Sequence, residues 1–379
     1  MNGSSCSFYC HVELLFRGCA HGSMDITLSH PPLNSPNFST SARRRFRASL
    51  LAWYDVHRRA LPWRETRDPY RIWLSEVMLQ QTRVAAVTER YQEFLRRFPT
   101  AQKLARASES SVLAAWSGLG YYRRARLLHT AAKVVVRQCG GRIPASFTEL
   151  QSLPGIGRYT AAAIASIAFG EPVAVVDGNV ERVLQRVTGK NAGNGDLWRT
   201  AEQMLDRKRP GDFNQAMMEL GATVCTPRNP ACLTCPVREL CATRGEIKSD
   251  SKPVSQKKRE IYYALQQRED AVLLVRRAQD ASLMPGMWEL PELEAPISHA
   301  KSAFSLRHSI TVTDYTVRVW REAFPDAVSG KWIALRRLPV LPLTGLAGKI
   351  LRQAGLMGDL RSPTTAGPQQ RMTAQGLDS

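Results

Sequence analysis

The sequence has no apolar run long enough to cross a membrane, and it is short of acidic residues. No stretch approaches the roughly 20 apolar residues that a membrane helix needs, so we expect a soluble protein. Only 33 aspartates and glutamates stand against 52 lysines and arginines in 379 residues, which gives a formal net charge of +19. This balance favours a polyanionic partner, above all a nucleic acid, over a basic surface without a partner. The length is sufficient for two domains with separate cores.

Sustained periodicity is missing from both ends of the chain. Residues 1–40 are rich in Ser, Pro, Asn and His, and their apolar stretch is too short and interrupted for a secretory signal. We expect a disordered extension there, or an assigned start upstream of a true start at Met24. Residues 357–379 have the composition of a flexible tail.

Alternating strand patterns are almost absent between residues 41 and 245, where the periodicity is helical. Residues 43–59, for example, carry Phe46, Leu50, Leu51 and Tyr54 at helical spacing, with arginines on the opposite face. Further amphipathic segments are predicted over 72–97, 109–118, 122–138, 146–152, 157–169, 178–187, 197–207 and 212–223. The pattern predicts an all-α domain over 41–245.

The composition changes after this domain. Residues 246–259 are polar and predict a linker. The run IYYALQQREDAVLLVRRA then predicts a β-hairpin with a Gln-Arg-Glu-Asp turn, and TVTDYTVRVWRE and GKWIALRRLPV predict further strands. LTGLAGKILRQAGL predicts a closing helix, so residues 260–356 are expected to form a smaller α+β domain.

Four of the eight cysteines fall within one short segment, CTPRNPACLTCPVRELC. They are separated by six, two and five residues: Cys225, Cys232, Cys235 and Cys241. The prolines and polar turns between them argue against ordinary core cysteines, and the missing secretory signal argues against a disulfide framework. A metal site is the better interpretation, and four thiolates suit either zinc or an iron–sulfur cluster.

The stretch LPGIGRYTAAA (153–163) predicts a turn that opens a helix. A Pro-Gly-x-Gly turn is expected to need backbone freedom at Gly155 and Gly157. The first N–H groups of the helix lack partners, so the turn suits an anion such as phosphate. A simple joint between two packed helices is the alternative.

Taken together, these motifs resemble the endonuclease III superfamily of DNA glycosylases. The cysteine spacing is similar to its [4Fe–4S] loop, LPGIGRYTAAA to its helix–hairpin–helix, and VVDGNVERVLQR to its Gly/Pro-rich loop with an essential aspartate. LPWR (61–64), DPYRIWLSEVMLQQTRV (68–84) and WSGLGYYRRARLLH (116–129) resemble the adenine DNA glycosylase (MutY) branch, and the likeness runs from about residue 48 to 245. It implies two helical lobes, a six-helix lobe over about 75–175 and a second over 41–74 plus 176–245, with a [4Fe–4S] cluster as cofactor.

The resemblance assigns roles to four residues. It implies that Glu76 is the general acid that protonates adenine N7, and that Asp177 stabilises the cationic sugar, with Asn179 orienting that carboxylate or the water. Without it, Glu76 is a glutamate in an unusually apolar helix and Asp177 an N-cap. Lyase relatives carry lysine where Tyr159 stands, and tyrosine cannot form their imine. We therefore expect a monofunctional glycosylase, with Tyr159 helping to order the acid and the water.

The resemblance also implies two contact sets for a flipped base and its orphaned partner. Gln81, Thr82, Leu119 and Tyr121 match the wedge that contacts 8-oxoguanine, although Leu119 and Tyr121 could simply pack as loop residues. Arg59, Trp63, Arg64 and Gln215 match the adenine pocket, although Trp63 could equally be core.

A weaker likeness relates residues 260–356 to a MutT (Nudix)-like domain that reads the oxidised base. Its loop would contain His308, Ser309 and Ile310, where the family commonly has Phe-Ser-His after an Arg-His. Gly286 and Glu292 open a Nudix pattern, but Ala300 and Lys301 replace its Arg-Glu pair, so we expect no nucleotide hydrolysis.

The implied partner is double-stranded DNA with adenine opposite 8-oxoguanine or guanine, bound by a monomeric protein. An iron–sulfur protein without a secretory signal is expected in the cytoplasm, on the nucleoid if the cell is bacterial. Two alternatives stay open: an endonuclease III-like glycosylase/lyase for oxidised pyrimidines, and a non-catalytic iron–sulfur protein that binds DNA or senses redox state.

Overall fold

The computed structural model describes residues 39–189, 194–245, 257–281, 283–297, 300–310, 313–321 and 330–358. The expected N-terminal extension before residue 39, most of the expected linker (246–256) and the tail from residue 359 lie outside the described residues. Among the helices that are described, none is both long and apolar enough to cross a membrane.

Helices make up the described part of residues 39–245. They are α1 (Thr40–His57), α2 (Pro69–Leu79), α3 (Val84–Arg97), α4 (Ala101–Arg106), α5 (Glu109–Ala115), α6 (Arg123–Cys139), α7 (Phe147–Gln151), α8 (Arg158–Phe169), α9 (Gly178–Thr188), α10 (Asn194–Met204) and α11 (Pro210–Thr223). Short 3-10 turns cover Pro62–Arg64, Cys232–Thr234 and Arg238–Leu240.

One predicted segment, 72–97, is wrong in its continuity. Two helices, α2 and α3, occupy it, because Gln81 has a φ of 55° and a left-handed residue cannot continue a right-handed helix. Helix α4 was not predicted.

The helices enclose two hydrophobic cores. The first lies among α2 to α8, with Trp73, Tyr91 and Trp116 almost fully buried, and the second joins α1 to α9, α10 and α11. The predicted lobe boundary after residue 74 is wrong, because Leu61, Trp63 and the whole of α2 belong to the first core. Helix α2 is continuous from its N-cap Asp68, whose Oδ1 accepts the Tyr70 N–H at 2.8 Å, so a boundary cannot fall inside it.

The described C-terminal residues form two four-stranded sheets and a helix. The strands are β1 (Lys257–Ala264), β2 (Gln267–Arg268), β3 (Ala271–Arg276), β4 (Trp288–Glu289), β5 (Glu292–Leu293), β6 (Phe304–Ile310), β7 (Thr313–Trp320) and β8 (Lys331–Ala334), and α12 covers Gly345–Gln353. The sheet orders are β5-β1-β7-β6 and β2-β3-β4, with β8 on β3. β1 and β7 are parallel from Lys257–Thr313 to Ala264–Trp320.

This topology corrects three boundaries or pairings. The predicted hairpin of β1 with β3 is wrong: β2 forms the local hairpin with β3 around Glu269, whose φ is 46°, and β1 pairs with β7 and β5. Residues 257–259 are strand rather than linker. Met357, at the start of the expected tail, packs against the sheet core.

A seam joins the two parts of the chain. The Tyr122 hydroxyl donates to the Leu343 carbonyl at 3.0 Å, and Arg126 donates to the Pro285 carbonyl at 2.6 Å. Met287 is fully buried in the first helical core. The C-terminal domain therefore packs directly against the start of α6.

Candidate active site

A cavity of about 560 Å³ opens between the two helical cores. Its walls come from the 3-10 turn before α2, the end of α2, the starts of α8 and α9, and α11. Ten of the residues singled out from the sequence line it: Arg59, Trp63, Arg64, Glu76, Gln81, Thr82, Tyr159, Asp177, Asn179 and Gln215. Polar groups from distant parts of the chain therefore converge on one concave site of the size that small ligands occupy.

Glu76 is a buried carboxyl on α2, with 5% of its surface exposed. The hydroxyl of Tyr159, in the first turn of α8, donates to its Oε2 at 2.6 Å. Burial raises the pKa of Glu76 to about 7, with nearby Asp177 adding to the rise and the Tyr159 hydrogen bond opposing it. Burial and Glu76 also raise the pKa of Tyr159, so the phenol keeps its proton. Glu76 can therefore hold a proton near neutral pH and release it into the cavity.

Asp177 is the N-cap of α9 and faces the same cavity. Its Oδ1 accepts the N–H groups of Asn179 and Val180 at 3.0 and 2.7 Å, and its Oδ2 accepts the Asn179 side-chain amide at 3.1 Å. Arg182 donates to the other end of that amide at 2.8 Å and to the Cys225 carbonyl at 2.8 Å. The capping and functional interpretations of Asp177 thus coexist, because capping fixes a carboxylate at the cavity wall.

The two acids have different surroundings. Glu76 is enclosed by apolar neighbours on α2, whereas Asp177 receives three N–H donors at the start of a helix. Environments of these two kinds suit two carboxyl groups to different roles, and burial is what lets Glu76 hold a proton near neutral pH. The site can therefore protonate a leaving group while it stabilises a developing positive charge.

Arg59 and Arg64 are held by Glu219, a residue that sequence reasoning missed. Arg59 donates to both Glu219 oxygens at 2.8 and 2.7 Å, and Arg64 donates to Oε2 at 2.7 Å. Burial alone would raise the pKa of this carboxyl, but the hydrogen bonds from Arg59 and Arg64 outweigh it and lower the pKa to about 2. The signal was available: Glu219 lies in the apolar run FNQAMMELGA, as Glu76 does in its helix.

Trp63 belongs both to the hydrophobic core and to the cavity wall, which were the two interpretations of this residue. It is 6% exposed and packs edge-on against Tyr91 with ring centroids 5.4 Å apart, yet it also forms part of the cavity wall. Gln215 is partly buried on α11 and reaches the cavity as well.

Two loops border the cavity mouth beside α6. In the first, Gln81 is exposed in a left-handed conformation, and the Thr82 hydroxyl donates to the Leu119 carbonyl at 3.2 Å. In the second, Tyr121 is also left-handed and is 50% exposed. Leu119 is only 4% exposed and packs into the first core, which favours the packing interpretation of this residue over the wedge.

Arg124 joins these two loops and was also missed. Its guanidinium donates to the carbonyls of Val77, Met78 and Gln80, to the Thr82 hydroxyl, and to the carbonyls of Leu119 and Gly120, at 2.5 to 3.1 Å. It also lies 5.4 Å from the Trp116 ring centroid and 5.6 Å from that of Tyr121. Burial lowers its pKa to about 10. One arginine thus fixes the end of α2 and both loops, which no local pattern indicates.

In the turn before α8, only one of the two glycines has the left-handed backbone conformation that favours glycine. Gly155 has a φ of 76°, and a Cβ there would meet the Leu127 Cβ at 2.6 Å. Gly157 is the N-cap of α8 with an ordinary φ of −80°, so the expected need for backbone freedom there is wrong. Among the described residues no side chain caps α8, and a Cβ at Gly157 would meet none of their atoms within 4 Å. The first N–H groups of α8 therefore point to an uncovered surface, as anion binding requires.

The four cysteines of the 225–241 segment line a common small pocket. Arg186 is 4% exposed and donates to the Cys225 sulfur at 3.4 Å, and the Arg244 N–H donates to the Cys241 sulfur at 3.4 Å. Four thiols around one apolar pocket, with N–H groups directed at the sulfurs, fit an iron–sulfur cluster.

His308, Ser309 and Ile310 were expected in a loop, but they form the end of strand β6 and pair with Tyr315, Asp314 and Thr313. This expectation is wrong because the alternation that begins at Phe304 continues to Ile310. Burial and the neighbouring Lys349 lower the pKa of His308.

Comparison with known proteins places this site in a class. Residues 74–204 match the family described as HhH-GPD superfamily base excision DNA repair protein, and residues 225–241 match the iron–sulfur binding domain of endonuclease III. A thermostable thymine-DNA glycosylase is similar in structure, with a TM-score of 0.51 and 33% identity over 53% of this chain and 96% of that chain. The helix–hairpin–helix glycosylase fold and the iron–sulfur cofactor are thereby confirmed.

The sequence relatives identify the branch of DNA glycosylases to which the chain is similar. The adenine DNA glycosylase of Mycobacterium tuberculosis is 44% identical over 223 residues, 56% of this chain and 73% of that protein. The human adenine DNA glycosylase is 51% identical over 220 residues, and the match spans 40% of its length. The chain belongs to the adenine DNA glycosylase family.

Proposed function

We propose that the protein is a monofunctional adenine DNA glycosylase that removes adenine paired with 8-oxoguanine or guanine in duplex DNA. The observation that carries this proposal is the 2.6 Å hydrogen bond from the Tyr159 hydroxyl to Glu76, in a cavity that Asp177 shares. It joins a carboxyl that can stay protonated near neutral pH to a tyrosine that cannot act as a lyase amine.

The reaction follows from the two acids. Adenine must leave the base stack to enter the cavity, at a cost of roughly a few kcal/mol. Glu76 gives its proton to N7, the bond between N9 and C1′ breaks, and its electron pair stays on the base. Asp177, held by Asn179 and Val180, stabilises the positive charge on the sugar. Water then adds to C1′ and gives its proton back to the Glu76 carboxylate, which leaves free adenine, an abasic site and the acid restored.

Arg59, Arg64 and Glu219 form the wall that the flipped base would face, with Gln215 beside it. The bidentate pair of Arg59 with Glu219 holds both arginines in fixed positions. Trp63 supplies apolar surface to the same wall. Polar groups that are held in place before binding select a base by the cost of leaving them unpaired.

Recognition of the orphaned base is proposed for Gln81, Thr82 and Tyr121 at the cavity mouth, without Leu119. Exposure of Gln81 and Tyr121 in left-handed conformations supports this role. We assign the C-terminal domain, as a MutT-like domain, to the 8-oxoguanine side, with His308, Ser309 and Ile310 at the end of β6. Its seam with α6 adjoins the loop of Tyr121 and supports this assignment.

The iron–sulfur segment would act as a structural clip that presents exposed Arg228 to the DNA backbone. The cluster supplies no step of the hydrolysis. The protein would act as a monomer on double-stranded DNA in a reducing compartment, the cytoplasm or the bacterial nucleoid.

The test is single-turnover base release from four duplexes, with adenine opposite 8-oxoguanine, guanine or cytosine, and with thymine opposite guanine. Borohydride trapping runs in parallel. We expect fast adenine release opposite 8-oxoguanine, slower release opposite guanine, and little trapped imine. Release of thymine alone, or efficient trapping on an oxidised pyrimidine, would overturn the proposal. Binding without any release would favour a non-catalytic DNA-binding protein.

A further inference from the structure

A further cavity, of about 530 Å³, lies between α1 and the end of α10, two helices of the second core. Four arginines and one acidic residue line it, and we call it the arginine groove: Arg43, Arg47, Arg199, Arg207 and Glu202. None of these residues lines the cavity that contains Glu76 and Asp177. The arginine groove is therefore separate from the site of base release.

Arg47 holds the two walls of the arginine groove together. Its Nε donates to the Met204 carbonyl at 2.9 Å, and its Nη2 donates to the Gln203 carbonyl at 2.8 Å. Since Arg47 belongs to α1 and both carbonyls belong to the last turn of α10, these bonds tie the helices to each other. The groove is therefore already formed in the free protein.

The acidic groups beside the arginine groove compensate its charge only in part. Glu202, the single acid on its wall, accepts the backbone N–H of Ala174 at 2.8 Å through its Oε1. Asp196 pairs with Arg199 at 3.2 Å, but both side chains are mostly exposed, and pairs of this kind contribute little. A surplus of positive charge therefore remains on the groove.

The other arginines are close enough to repel one another. Arg43 and Arg47 are four residues apart and share a face of α1, and neither they nor Arg207 form an ion pair within the described ranges. Burial lowers the pKa of the partly buried Arg47. Asp206 opposes this fall, whereas the like charges of Arg43 and Arg207 add to it. Like charges around one cavity attract an anion, because the anion offsets their mutual repulsion.

The start of α8 indicates which anion this is. Arg158, the first residue of α8, lies beside the uncovered N–H groups, and its guanidinium is 3.9 Å from the ring centroid of Trp198 on α10. The groove residues of α10 follow Trp198 within five positions, which is about 8 Å along the helix axis. Phosphates of one DNA strand succeed each other at roughly 3.4 Å along the duplex axis. A strand that meets the turn before α8 and runs beside α10 would therefore reach the groove within a few base pairs.

We propose that the arginine groove binds backbone phosphates of the DNA strand that contacts the turn before α8. The inference rests on the proposed function, because that function makes duplex DNA the ligand. Arg43, Arg199 and Arg207 would contact the phosphates, and Arg47 would be the positioning residue that keeps the groove open. Contacts of this kind add affinity without sequence preference, because they reach no base edge.

The first experiment measures equilibrium binding of the full chain as a function of KCl. One probe is a long duplex with 2′-fluoro-2′-deoxyadenosine, which resists hydrolysis, opposite 8-oxoguanine, and the other is an undamaged duplex of the same length. The test variant is Arg43→Gln with Arg207→Gln. The matched control is Arg45→Gln with Arg137→Gln, which makes the same change in charge at exposed arginines outside the groove.

The slope of log affinity against log salt is the measured quantity. We expect it to fall by about 1 in the test variant on both probes and to stay unchanged in the control. An equal fall in both variants would show general electrostatic attraction and would overturn the proposal. A fall on undamaged duplex by a protein that releases no adenine would leave this inference standing and the proposed function wrong.

Truncation of the duplex locates the contact. The duplex with the adenine analogue is shortened in steps, first from one end and then from the other. We expect the affinities of the wild type and the test variant to converge when one arm becomes too short to reach the groove, and not when the other arm is shortened. A difference that persists in the shortest duplexes, or that disappears equally from both sides, would contradict the proposal.

Thermal unfolding without DNA tests two other roles for the groove. We expect the test variant to melt at or above the temperature of the wild type, because it has fewer like charges around the cavity. A lower melting temperature with an unchanged salt slope would show that the arginines are structural. Inorganic phosphate that raises the melting temperature of the wild type alone, again with an unchanged salt slope, would show a site for small anions. Either result would overturn the proposal.

Discussion

Tyr159 and Glu76 are joined by a 2.6 Å hydrogen bond that connects the first turn of α8 to the middle of α2. The phenol keeps its proton, so it donates to the carboxyl and favours the ionised form of Glu76. Burial acts in the opposite direction and is the stronger effect. The pKa of Glu76 therefore lies near neutrality because burial raises it and the hydrogen bond from Tyr159 lowers it. Substitution of Tyr159 removes the hydrogen bond.

Substitution of Tyr159 by Phe should shift the pH dependence of base release. Activity requires protonated Glu76, so the rate falls as the pH rises through about 7 in the wild type. Tyr159→Phe removes the hydrogen bond that lowers the pKa of Glu76, and the alkaline limb of the single-turnover profile should move to higher pH. Tyr91→Phe is the control, since the Tyr91 hydroxyl donates to the Arg71 carbonyl instead. An alkaline limb that stays in place would contradict the assignment of Glu76 as the acid.

Substitution of Glu76 by Gln should abolish base release and stabilise the fold at alkaline pH. The folded-state pKa of Glu76 is raised from 4.5 to about 7, so its contribution to stability is complete below pH 4.5 and is lost as the pH rises through 7. Glutamine does not titrate. The free energy of unfolding of Glu76→Gln should therefore gain on the wild type between pH 4.5 and 7, by about 3 kcal/mol in total.

Denaturant titrations at pH 4.5, 6 and 8 measure this difference. DNA binding by Glu76→Gln should be retained, because the phosphate contacts dominate affinity. A constant difference across the three pH values would show that folding does not raise the pKa of Glu76. Normal base release by Glu76→Gln would contradict the mechanism in which Glu76 is the general acid.

Substitution of Arg124 by Met should loosen both loops at the cavity mouth. The variant removes the hydrogen bonds that Arg124 donates to five backbone carbonyls and to the Thr82 hydroxyl, which should cost about 2–4 kcal/mol of stability. It should also reduce the ratio of adenine release opposite 8-oxoguanine to release opposite guanine. Arg123→Met is the control, since Arg123 is an exposed neighbour on the same helix. An unchanged ratio in a destabilised Arg124→Met protein would limit Arg124 to a purely structural role.

The two glycines of the turn before α8 should respond differently to alanine. Gly155→Ala places a Cβ 2.6 Å from Leu127 at a φ of 76° and should cost about 1–3 kcal/mol. Gly157→Ala meets open space at an ordinary φ and should stay within about 0.5 kcal/mol of the wild type. Thermal unfolding of the two variants measures the difference. Equal losses of stability would contradict the different backbone conformations of Gly155 and Gly157.

The helices and the cysteine site of the helical domain were largely predictable, because their signals lie within short stretches of sequence. Phe46, Leu50 and Tyr54 recur at helical spacing, and the four cysteines form a compact motif. Glu76 was detectable because burial of a carboxyl among apolar neighbours costs free energy unless the group has a partner or a function. The same signal existed at Glu219 and was missed, since its partners Arg59 and Arg64 lie far away in the sequence.

Other features could not be predicted from the sequence because they depend on partners distant along the chain. Arg124 reads as one arginine among several in GYYRRARLL, and its role follows only from the loops that surround it. The pairing of β1 was mistaken for a local hairpin because a strand's pattern identifies its faces and not its neighbours. Leu119 was assigned to a wedge by resemblance, whereas its burial is a matter of packing.

The parallel pairing of β1 with β7 has a consequence for how the chain folds. It closes a loop from Lys257 to Thr313, so the sheet at its centre forms only after most of the C-terminal domain has been synthesised. The first helical core joins the consecutive helices α2 to α8, and domains with local contacts fold faster than sheets with distant pairings. The chain should therefore pass through a stage in which the helices are formed and the sheet is not. At that stage the core site of Met287 lacks its side chain and the hydrogen bond from Tyr122 to Leu343 is not yet formed, so closure of the seam is the last step of assembly.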